Sequence, residues 1–261
     1  MAKRNKEKVE KREQPEIVLL LFEGPSDEDA LYIPLANIFE AISKKISVYP
    51  IFYQDALQKY GDVTSRHNVN PRNIEKKIAE KAVEPFLRNN GLYPKHISWI
   101  IQFVDTDGAY IPDSNIIQQN NDSVVDVIYE DNRIIAPNVD NIIERNSRKR
   151  ENLDHLSQLS TIKIGSKTRD YSVFYFSSNL DHVLHDNANL ADSLKRNSAI
   201  DFRMFNEDIN SFKEYFVNNR VISGEKDYSS SWDYIKHENN SLKRVTNIDI
   251  LIDMLIRRIP E

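Results

Sequence analysis

Two apolar stretches that stop abruptly at carboxylates constrain the fold of this chain more than any other feature. Residues 17–22 are apolar and are followed by Glu23, and residues 97–104 are mostly apolar and are followed by Asp105 and Asp107. Runs of this kind are typical of strands buried on both faces. Side chains two apart on an extended strand point the same way, so we expect the two aspartates to face together. Because open α/β sheets bind ligands at the carboxyl ends of their strands, we expect Glu23 beside them.

The segments around these stretches alternate between strand and helix. Ser26 and Asp29 have the spacing of a capping box and predict that a helix begins there, with a kink or an early break at Pro34. A second strand is predicted at residues 46–53 and a long amphipathic helix at residues 70–90. This order predicts an α/β fold in which a parallel sheet is flanked by helices and joined by right-handed crossovers.

The rest of the chain predicts a less regular middle part and a helical end. Residues 112–170 include an asparagine-rich stretch and are interpreted as an insertion or cap over the site, with strands at 124–129 and near 133–136 and a helix over 138–159. The expected organisation is a charged tail (1–15), the first part of the core (16–111), the insertion (112–170), the last core strand (171–186) and a mainly helical C-terminal region (187–261).

Composition excludes several classes of protein and site. The chain has no cysteine, so disulfides and zinc sites built from thiolates are excluded. No apolar run reaches the roughly 18 residues of a spanning helix, and the charged N-terminus is not a secretion signal. We therefore interpret the protein as cytoplasmic, without a membrane partner. A net charge of −5 means that contacts with nucleic-acid phosphates must come from local basic clusters.

The acids that follow the two stretches have the chemistry of a divalent-cation site. Carboxylate oxygens are ligands that Mg²⁺ and Mn²⁺ prefer, and a cation held by Asp105 and Asp107 would polarise a phosphate. Glu23 would help to hold a second cation, or would have a raised pKa and carry a proton. Two plainer interpretations stay open. Residues 105–108 have the composition of a simple turn, and Asp27 lies in the first helical turn, where acids are favoured without any other role.

The two acidic motifs resemble those of the Toprim family, the metal-binding α/β module of topoisomerases, bacterial primases, small ribonucleases and OLD (overcoming lysogenization defect) nucleases. They are the Glu-Gly pair at 23–24 and the Asp-Thr-Asp at 105–107. The resemblance covers residues 17–110 and the strand and turn at 171–182. The Glu-Gly-Pro-Ser-Asp-Glu at 23–28 is most similar to OLD-type nucleases and to stand-alone Toprim proteins of bacterial anti-phage defence and abortive infection.

The resemblance implies a Toprim-like sheet, a metal set and an activity. Mg²⁺ or Mn²⁺ would be bound by the acids of the two motifs, by an acid in the following helix and by one after a further strand. In this sequence these acids are Glu23, Asp27, Asp105, Asp107 and Asp181. The implied activity is endonucleolytic cleavage of phosphodiester bonds in DNA or RNA, including tRNA. OLD nucleases carry an ATPase domain, and this chain has no Gly-x-x-x-x-Gly-Lys loop, so a separately encoded ATPase partner is implied.

Basic residues form clusters that are candidates for contacts with nucleic-acid phosphates. They are Arg145, Arg148, Lys149 and Arg150, then Lys163, Lys167 and Arg169, and finally Lys195 and Arg196. The alternative is that each cluster is an ordinary solvated surface. Lys195 is also the candidate for stabilising the phosphate during cleavage, which would make it a catalytic residue together with Glu23, Asp105 and Asp107.

Other functions stay open at this point. A non-catalytic Toprim module that binds or regulates a partner would keep the fold and the site without cleaving a substrate. A small-molecule phosphotransfer enzyme would place a nucleophilic aspartate after the first strand, where this chain has Glu23. A topoisomerase would need a further domain, and a primase would need a zinc-binding domain that the missing cysteines exclude. The sequence is also compatible with a homo-oligomer.

Overall fold

Two β-sheets form the framework of the protein, whose computed structural model describes residues 16–54, 61–119, 126–218 and 227–260. The strands in chain order are β1 (Glu16–Phe22), β2 (Ile46–Phe52), β3 (Ile97–Asp105), β4 (Ile116–Gln118), β5 (Ile128–Glu130), β6 (Arg133–Ala136), β7 (Thr161–Ile164) and β8 (Lys167–Phe176). The main sheet has the order β2-β1-β3-β8-β7 and is parallel except for the β7–β8 hairpin. A small second sheet has the order β4-β6-β5.

Helices cover both faces of the main sheet. They are α1 (Pro25–Ile42), α2 (Ile74–Ile78), α3 (Glu84–Asn89), α4 (Val139–Leu156), α5 (Leu180–His185), α6 (Asp192–Asn206), α7 (Ile209–Phe216), α8 (Tyr228–Ile235) and α9 (Ile248–Ile256). One hydrophobic cluster joins the sheet to α1, α5, α6, α7 and α9, and another joins it to α2, α3, α8 and the end of α4. The predicted α/β fold with a parallel sheet between helices is confirmed. Within the described ranges no helix has both the length and the apolarity to cross a membrane.

The continuous apolar sequence of β1 follows from its position inside this three-layer arrangement. Ile17, Leu19 and Leu21 are buried in one hydrophobic cluster, and the alternate residues are buried in the other. Both faces of the strand are therefore covered, and an alternation of apolar and polar residues is not required. Strand β1 pairs with β2 on one side and β3 on the other, so Glu23 follows an inner strand, next to the central strand β3.

The first helix differs from its prediction at its start and at its proline. Helix α1 begins at Pro25 with Gly24 as the N-cap residue, two residues earlier than the predicted box at Ser26 and Asp29. Asp27 closes the observed box, since its Oδ2 accepts hydrogen bonds from the backbone N–H groups of Gly24 (2.9 Å) and Glu23 (3.1 Å). The helix also continues through Pro34, which is buried with the apolar face of α1. Burial of that face outweighs the hydrogen bond that proline cannot donate.

The predicted helix at 70–90 is shorter and interrupted. It begins at Ile74, because Asn70 and Asn73 use their side chains for turn hydrogen bonds to backbone N–H groups. Between α2 and α3, Ala79–Val83 form a π-helical turn. Strand β7 was not predicted.

In the middle part, the strand predicted near 133–136 is confirmed as β6. Of the strand predicted at 124–129, the described part begins only at residue 126 and forms β5 two residues later; residues 124 and 125 lie outside the described residues. The predicted helix at 138–159 is α4, which begins one residue later and ends three residues earlier.

The segment at residues 240–247 is hydrogen-bonded to the end of β8 and to the turn after β3. Thr246 pairs with Phe176 in an antiparallel bridge, and its hydroxyl donates to the Tyr175 carbonyl at 2.6 Å. The Asn247 side chain accepts from the Tyr175 N–H at 2.8 Å. The C-terminal helices thus share their core with the sheet, and α6 and α9 pack against α1.

Candidate functional site

The carboxyl ends of β1, β3 and β8 meet at one edge of the sheet, as predicted. Glu23 Oε1 accepts a hydrogen bond from the Asp105 backbone N–H at 3.3 Å, although the two residues are 82 positions apart. Asp105 Oδ1 accepts from the Leu180 N–H at 2.9 Å, in the first turn of α5. Asp181 follows directly in that turn. The topology therefore brings together acids from three separate strand ends.

Asp107 lies in a turn beside this edge, and not on the extended strand where it was predicted. Strand β3 ends at Asp105, and Asp107 has a φ of 51°, so the two aspartates do not lie on one extended strand. The Asp107 N–H donates to the Ser178 carbonyl at 2.7 Å, and the Ala109 N–H donates to the Thr106 carbonyl at 2.8 Å. The segment is thus a turn, as the plainer interpretation expected. This turn directs the Asp107 carboxylate towards α4.

Gly108 makes the turn possible, and we expect its replacement by alanine to destabilise the protein. Gly108 has a φ of +64°, and a Cβ atom there would lie 2.6 Å from Leu242 Cδ2 and 3.0 Å from Ile134 Cδ1. Gly165 has a similar φ of +57° with nothing within 4 Å. We expect Gly165→Ala to lower the free energy of unfolding by about 1–2 kcal/mol, from the backbone strain alone. Gly108→Ala should cost about 1–3 kcal/mol more because of crowding. If urea unfolding shows the same decrease in the free energy of unfolding for both variants, the predicted crowding at Gly108 is wrong.

Lys149 of α4 is the central cation of the site. Its side chain is 0% exposed, and its Nζ lies 2.5 Å from Asp107 Oδ2 and 3.1 Å from Asp62 Oδ2. Burial would lower the pKa of Lys149, but Asp107, Asp62 and Glu23 outweigh this effect and raise it well above its usual value. Lys149 therefore stays charged inside the protein.

Arg145 also belongs to the interior of the site. Its guanidinium donates to the Asp107 carbonyl at 2.9 Å and to the Tyr129 hydroxyl at 3.0 Å. The Tyr129 hydroxyl is in turn 3.4 Å from Asp107 Oδ1. The helix of the predicted cap thus lies against the site. Its Arg145 and Lys149 side chains contact the turn at Asp107. Lys149 is fully buried and is not part of a phosphate-binding surface, whereas Arg145 is half-buried and its contact with phosphate stays a prediction.

The other basic candidates are dispersed over the protein. Arg148 donates to the Ser65 carbonyl, and Arg150 donates to the Ala109 carbonyl. Lys163, Lys167 and Arg169 lie in the β7–β8 hairpin at the amino end of β8. These residues precede the end of β8 at Phe176 by seven to nine strand positions, so they lie roughly 20–30 Å from the acidic edge. The predicted clusters consequently do not form one continuous track.

Lys195 and Arg196 lie on α6, close to the acidic edge. Lys195 Nζ is 2.9 Å from Asp192 Oδ1 and 4.0 Å from Asp181 Oδ2. The Arg196 guanidinium pairs with Asp29 at 3.0 Å and its side chain is 73% exposed. These two residues are predicted basic candidates that lie beside Asp181 and Asp29 and contact solvent.

The acids at the edge raise one another's pKa values. Burial and then Asp27 and Asp107 raise the pKa of Asp105 well above its usual value. Burial and then Asp181 raise the pKa of Asp27 to about 6, against the opposing effect of its backbone hydrogen bonds. Burial also raises the pKa of Asp181. Burial and the repulsion of neighbouring carboxylates are the two causes of these raised pKa values.

Asp62 is a member of the site that sequence reasoning missed. Burial and then the negative charge of Asp62 raise the pKa of Glu23 well above its usual value. Burial would also raise the pKa of Asp62 itself, but Lys149 and the Thr64 hydrogen bonds outweigh it and lower that pKa. Asp62 lies ten residues after the end of β2 at Phe52, too far along the connection for a rule about strand ends to identify it.

The raised pKa of Asp27 leads to a pH prediction. The folded protein keeps the Asp27 proton up to a pH of about 6, whereas an ordinary aspartate releases it near 3.8. The Asp27 contribution to the free energy of unfolding is therefore largest at low pH and falls between about pH 4 and pH 6. Asp27→Asn, which keeps a capping oxygen, should reduce that fall by about 1–3 kcal/mol. Urea unfolding of the wild type and of Asp27→Asn at both pH values measures this difference. Identical pH dependence of the free energy of unfolding in the two proteins would contradict the prediction.

The donor set fits a hard divalent cation in its chemistry. The acids offer carboxylate oxygens, and their mutual repulsion is the condition that a bound Mg²⁺ or Mn²⁺ relieves. Asp105 and Glu23 lie at the centre, with Asp27 and Asp181 on one side. In the described part of the chain, however, no three acidic or histidine side chains already surround a common point as a metal group would.

Comparison with known proteins assigns no family to the chain. No family model, no curated protein and no solved structure matches it. The similarity to Toprim proteins thus stays a prediction from the two acidic motifs. What the site can do must be inferred from its own residues.

Proposed function

We propose that this protein is a Mg²⁺- or Mn²⁺-dependent nuclease of the Toprim class that hydrolyses phosphodiester bonds in DNA or RNA, with tRNA among the candidate substrates. The observation that carries this proposal is the meeting of Glu23, Asp105 and Asp181 at the carboxyl edge of a parallel sheet. Ligand sites of open α/β folds lie at such an edge. Clustered acids there are suited to hold a cation against a phosphate.

The residues divide the chemistry between them. Asp105, Glu23, Asp27 and Asp181 would hold the cation, which supplies polarisation of the phosphate and neutralisation of its charge. Burial and the negative charge of Asp62 raise the pKa of Glu23, which favours a role for this carboxyl group in holding or accepting a proton. The Lys195 ammonium lies beside Asp181 and is partly exposed, and in this proposal it would contact a phosphate oxygen.

Nucleic acid would approach over α6. Arg196 and Lys195 are basic side chains on this helix that lie near the acidic edge and contact solvent. Phosphate contacts by these residues would position the backbone without reading its sequence. A separately encoded ATPase partner and a role in anti-phage defence complete the proposal, and both depend on the Toprim resemblance.

The test is a cleavage assay with matched substrates. Wild-type protein and the Asp105→Ala/Asp107→Ala variant are incubated with plasmid, single-stranded DNA and total tRNA, with Mg²⁺, Mn²⁺ or EDTA. We expect metal-dependent cleavage of one substrate class by the wild type only. Equal cleavage by both proteins, or cleavage in EDTA, would overturn the proposal.

A second candidate, a non-catalytic binding module, is favoured by one observation. Lys149 already compensates the carboxylates of Asp107 and Asp62 without a metal ion. The same assay decides between the candidates when it is repeated with the proteins encoded beside this gene. Absence of cleavage in their presence, together with a stable complex in size-exclusion chromatography, would favour the binding module.

A further inference from the structure

The charges of the site are divided into two parts. The inner part consists of Lys149 with Asp62 and Asp107, which it contacts at 3.1 and 2.5 Å. The outer part consists of Asp27, Asp105 and Asp181, with Lys195 at its rim. Glu23 lies between the two parts, because it interacts with Lys149 and Asp62 on one side and accepts from the Asp105 N–H on the other.

We infer that the Lys149 ammonium permanently occupies the place of a second metal ion, so that the site takes a single divalent cation in its outer part. The inference rests on the proposed metal-dependent function. Two-metal phosphodiesterases hold their ions about 3.5–4 Å apart between shared carboxylates. In this protein, a fixed positive charge already lies between Asp62 and Asp107 on the inner side of the shared Glu23. A divalent ion entering there would meet that charge at contact distance.

The surroundings of Lys149 fix it in this position. Its side chain is 0% exposed. Asp62 Oδ1 accepts hydrogen bonds from the backbone N–H and the hydroxyl of Thr64, which leaves Oδ2 for the ammonium. The Arg145 guanidinium donates a hydrogen bond to the backbone carbonyl of Asp107. Withdrawal of Lys149 would leave buried carboxylates uncompensated, which is strongly unfavourable.

Asp107 therefore has a different role from Asp105, although both belong to one motif. Asp107 is a positioning residue that holds Lys149, whereas Asp105 is free to bind the cation with an oxygen that the Leu180 N–H does not use. The inner part then supplies one positive charge that does not depend on the metal concentration. Cleavage should consequently saturate with a single class of metal site.

Calorimetric titration with Mn²⁺ tests the inference without using activity. We expect one ion per chain for the wild type. Asp105→Asn should weaken Mn²⁺ binding by at least about tenfold, whereas Asp107→Asn, the same change two residues later, should keep one ion with an affinity within about threefold. Two ions on the wild type, or an equal loss in the two variants, would overturn the inference.

A third variant tests the inner part directly. Lys149→Ala should bind two Mn²⁺ ions, and Mn²⁺ should raise its melting temperature more than that of the wild type, because an ion replaces the lost ammonium. A folded Lys149→Ala protein that still binds one ion would overturn the inference. If this variant does not fold even with Mn²⁺, the Mn²⁺ titrations of the wild type and of the Asp105→Asn and Asp107→Asn variants decide whether the inference holds.

Different results would contradict the single-ion site and the proposed nuclease function. Metal-dependent cleavage with two bound ions would contradict the inference alone. A wild-type protein that binds no Mn²⁺ and cleaves nothing would contradict the proposed function, and the inference with it.

Discussion

Replacing Lys149 by methionine is expected to lower the free energy of unfolding by about 3–5 kcal/mol. Methionine keeps most of the length and apolar surface of the side chain and removes only the charge. Asp62 and Asp107 would then lose the ammonium that each contacts in the native protein. A buried carboxylate without a partner is far more costly than an intact pair is favourable. Urea unfolding followed by circular dichroism measures the difference.

Lys195→Met is the matched control, since it makes the same chemical change at the same edge of the sheet. The Lys195 side chain is 36% exposed and its partner Asp192 is almost completely exposed. Surface pairs of this kind contribute about 0–1 kcal/mol. Similar losses for the two variants would show that burial of Lys149 is not what makes its charge important.

Asp105→Asn should reduce the proposed cleavage roughly a thousandfold, because a metal ion contributes several kcal/mol to the transition state and each 1.36 kcal/mol is a factor of ten. Asparagine keeps the shape of the side chain and an oxygen that can accept the Leu180 N–H. It removes the negative charge that the cation needs. Initial rates at saturating Mn²⁺ on the cleaved substrate measure the effect.

Asp170→Asn provides the control for this loss. Asp170 is exposed and belongs to β8, but at the opposite end of the sheet from Asp105. The same substitution there should leave the cleavage rate within about twofold of the wild-type rate. Substitutions at exposed positions outside caps, buried ion pairs and the core usually have small effects on a protein. If both variants lose activity equally, or if Asp105→Asn remains active, the acidic edge is not the catalytic site.

The sheet and the meeting of its strand ends could be predicted because they depend on burial and topology. Residues 17–22 are apolar without interruption, and a strand with this pattern must be covered on both faces. Two such strands joined by a helical crossover lie parallel, so their carboxyl ends meet. Glu23 and Asp105 could therefore be placed side by side from the sequence alone.

The position of Asp107 could not be predicted from the alternation of side chains along a strand. The strand ends at Asp105, and the turn that follows depends on distant partners. The Thr106 hydroxyl donates to the Ser241 carbonyl, and the Asp107 N–H donates to Ser178. A local pattern contains no information about contacts across such a distance in sequence.

The role of Lys149 was hidden by its basic neighbours. Arg148, Lys149 and Arg150 look like a solvated surface, yet helical spacing separates them. Lys149 shares the buried face of α4 with Ile142, Asn146 and Leu153, which lie three or four positions apart along the helix. A lysine on the apolar face of a helix is a signal that a carboxylate lies opposite.

The segment at residues 240–247 has a consequence for how the protein is made. Ser241 supports the turn after β3 through its carbonyl, which accepts from Thr106, and through its hydroxyl, which accepts from the Tyr110 N–H. During translation, Glu23, Asp105 and Asp107 leave the ribosome long before this segment. The nascent chain therefore lacks the support for its acidic turn until residue 241 has emerged. Synthesis itself would delay the onset of the proposed activity.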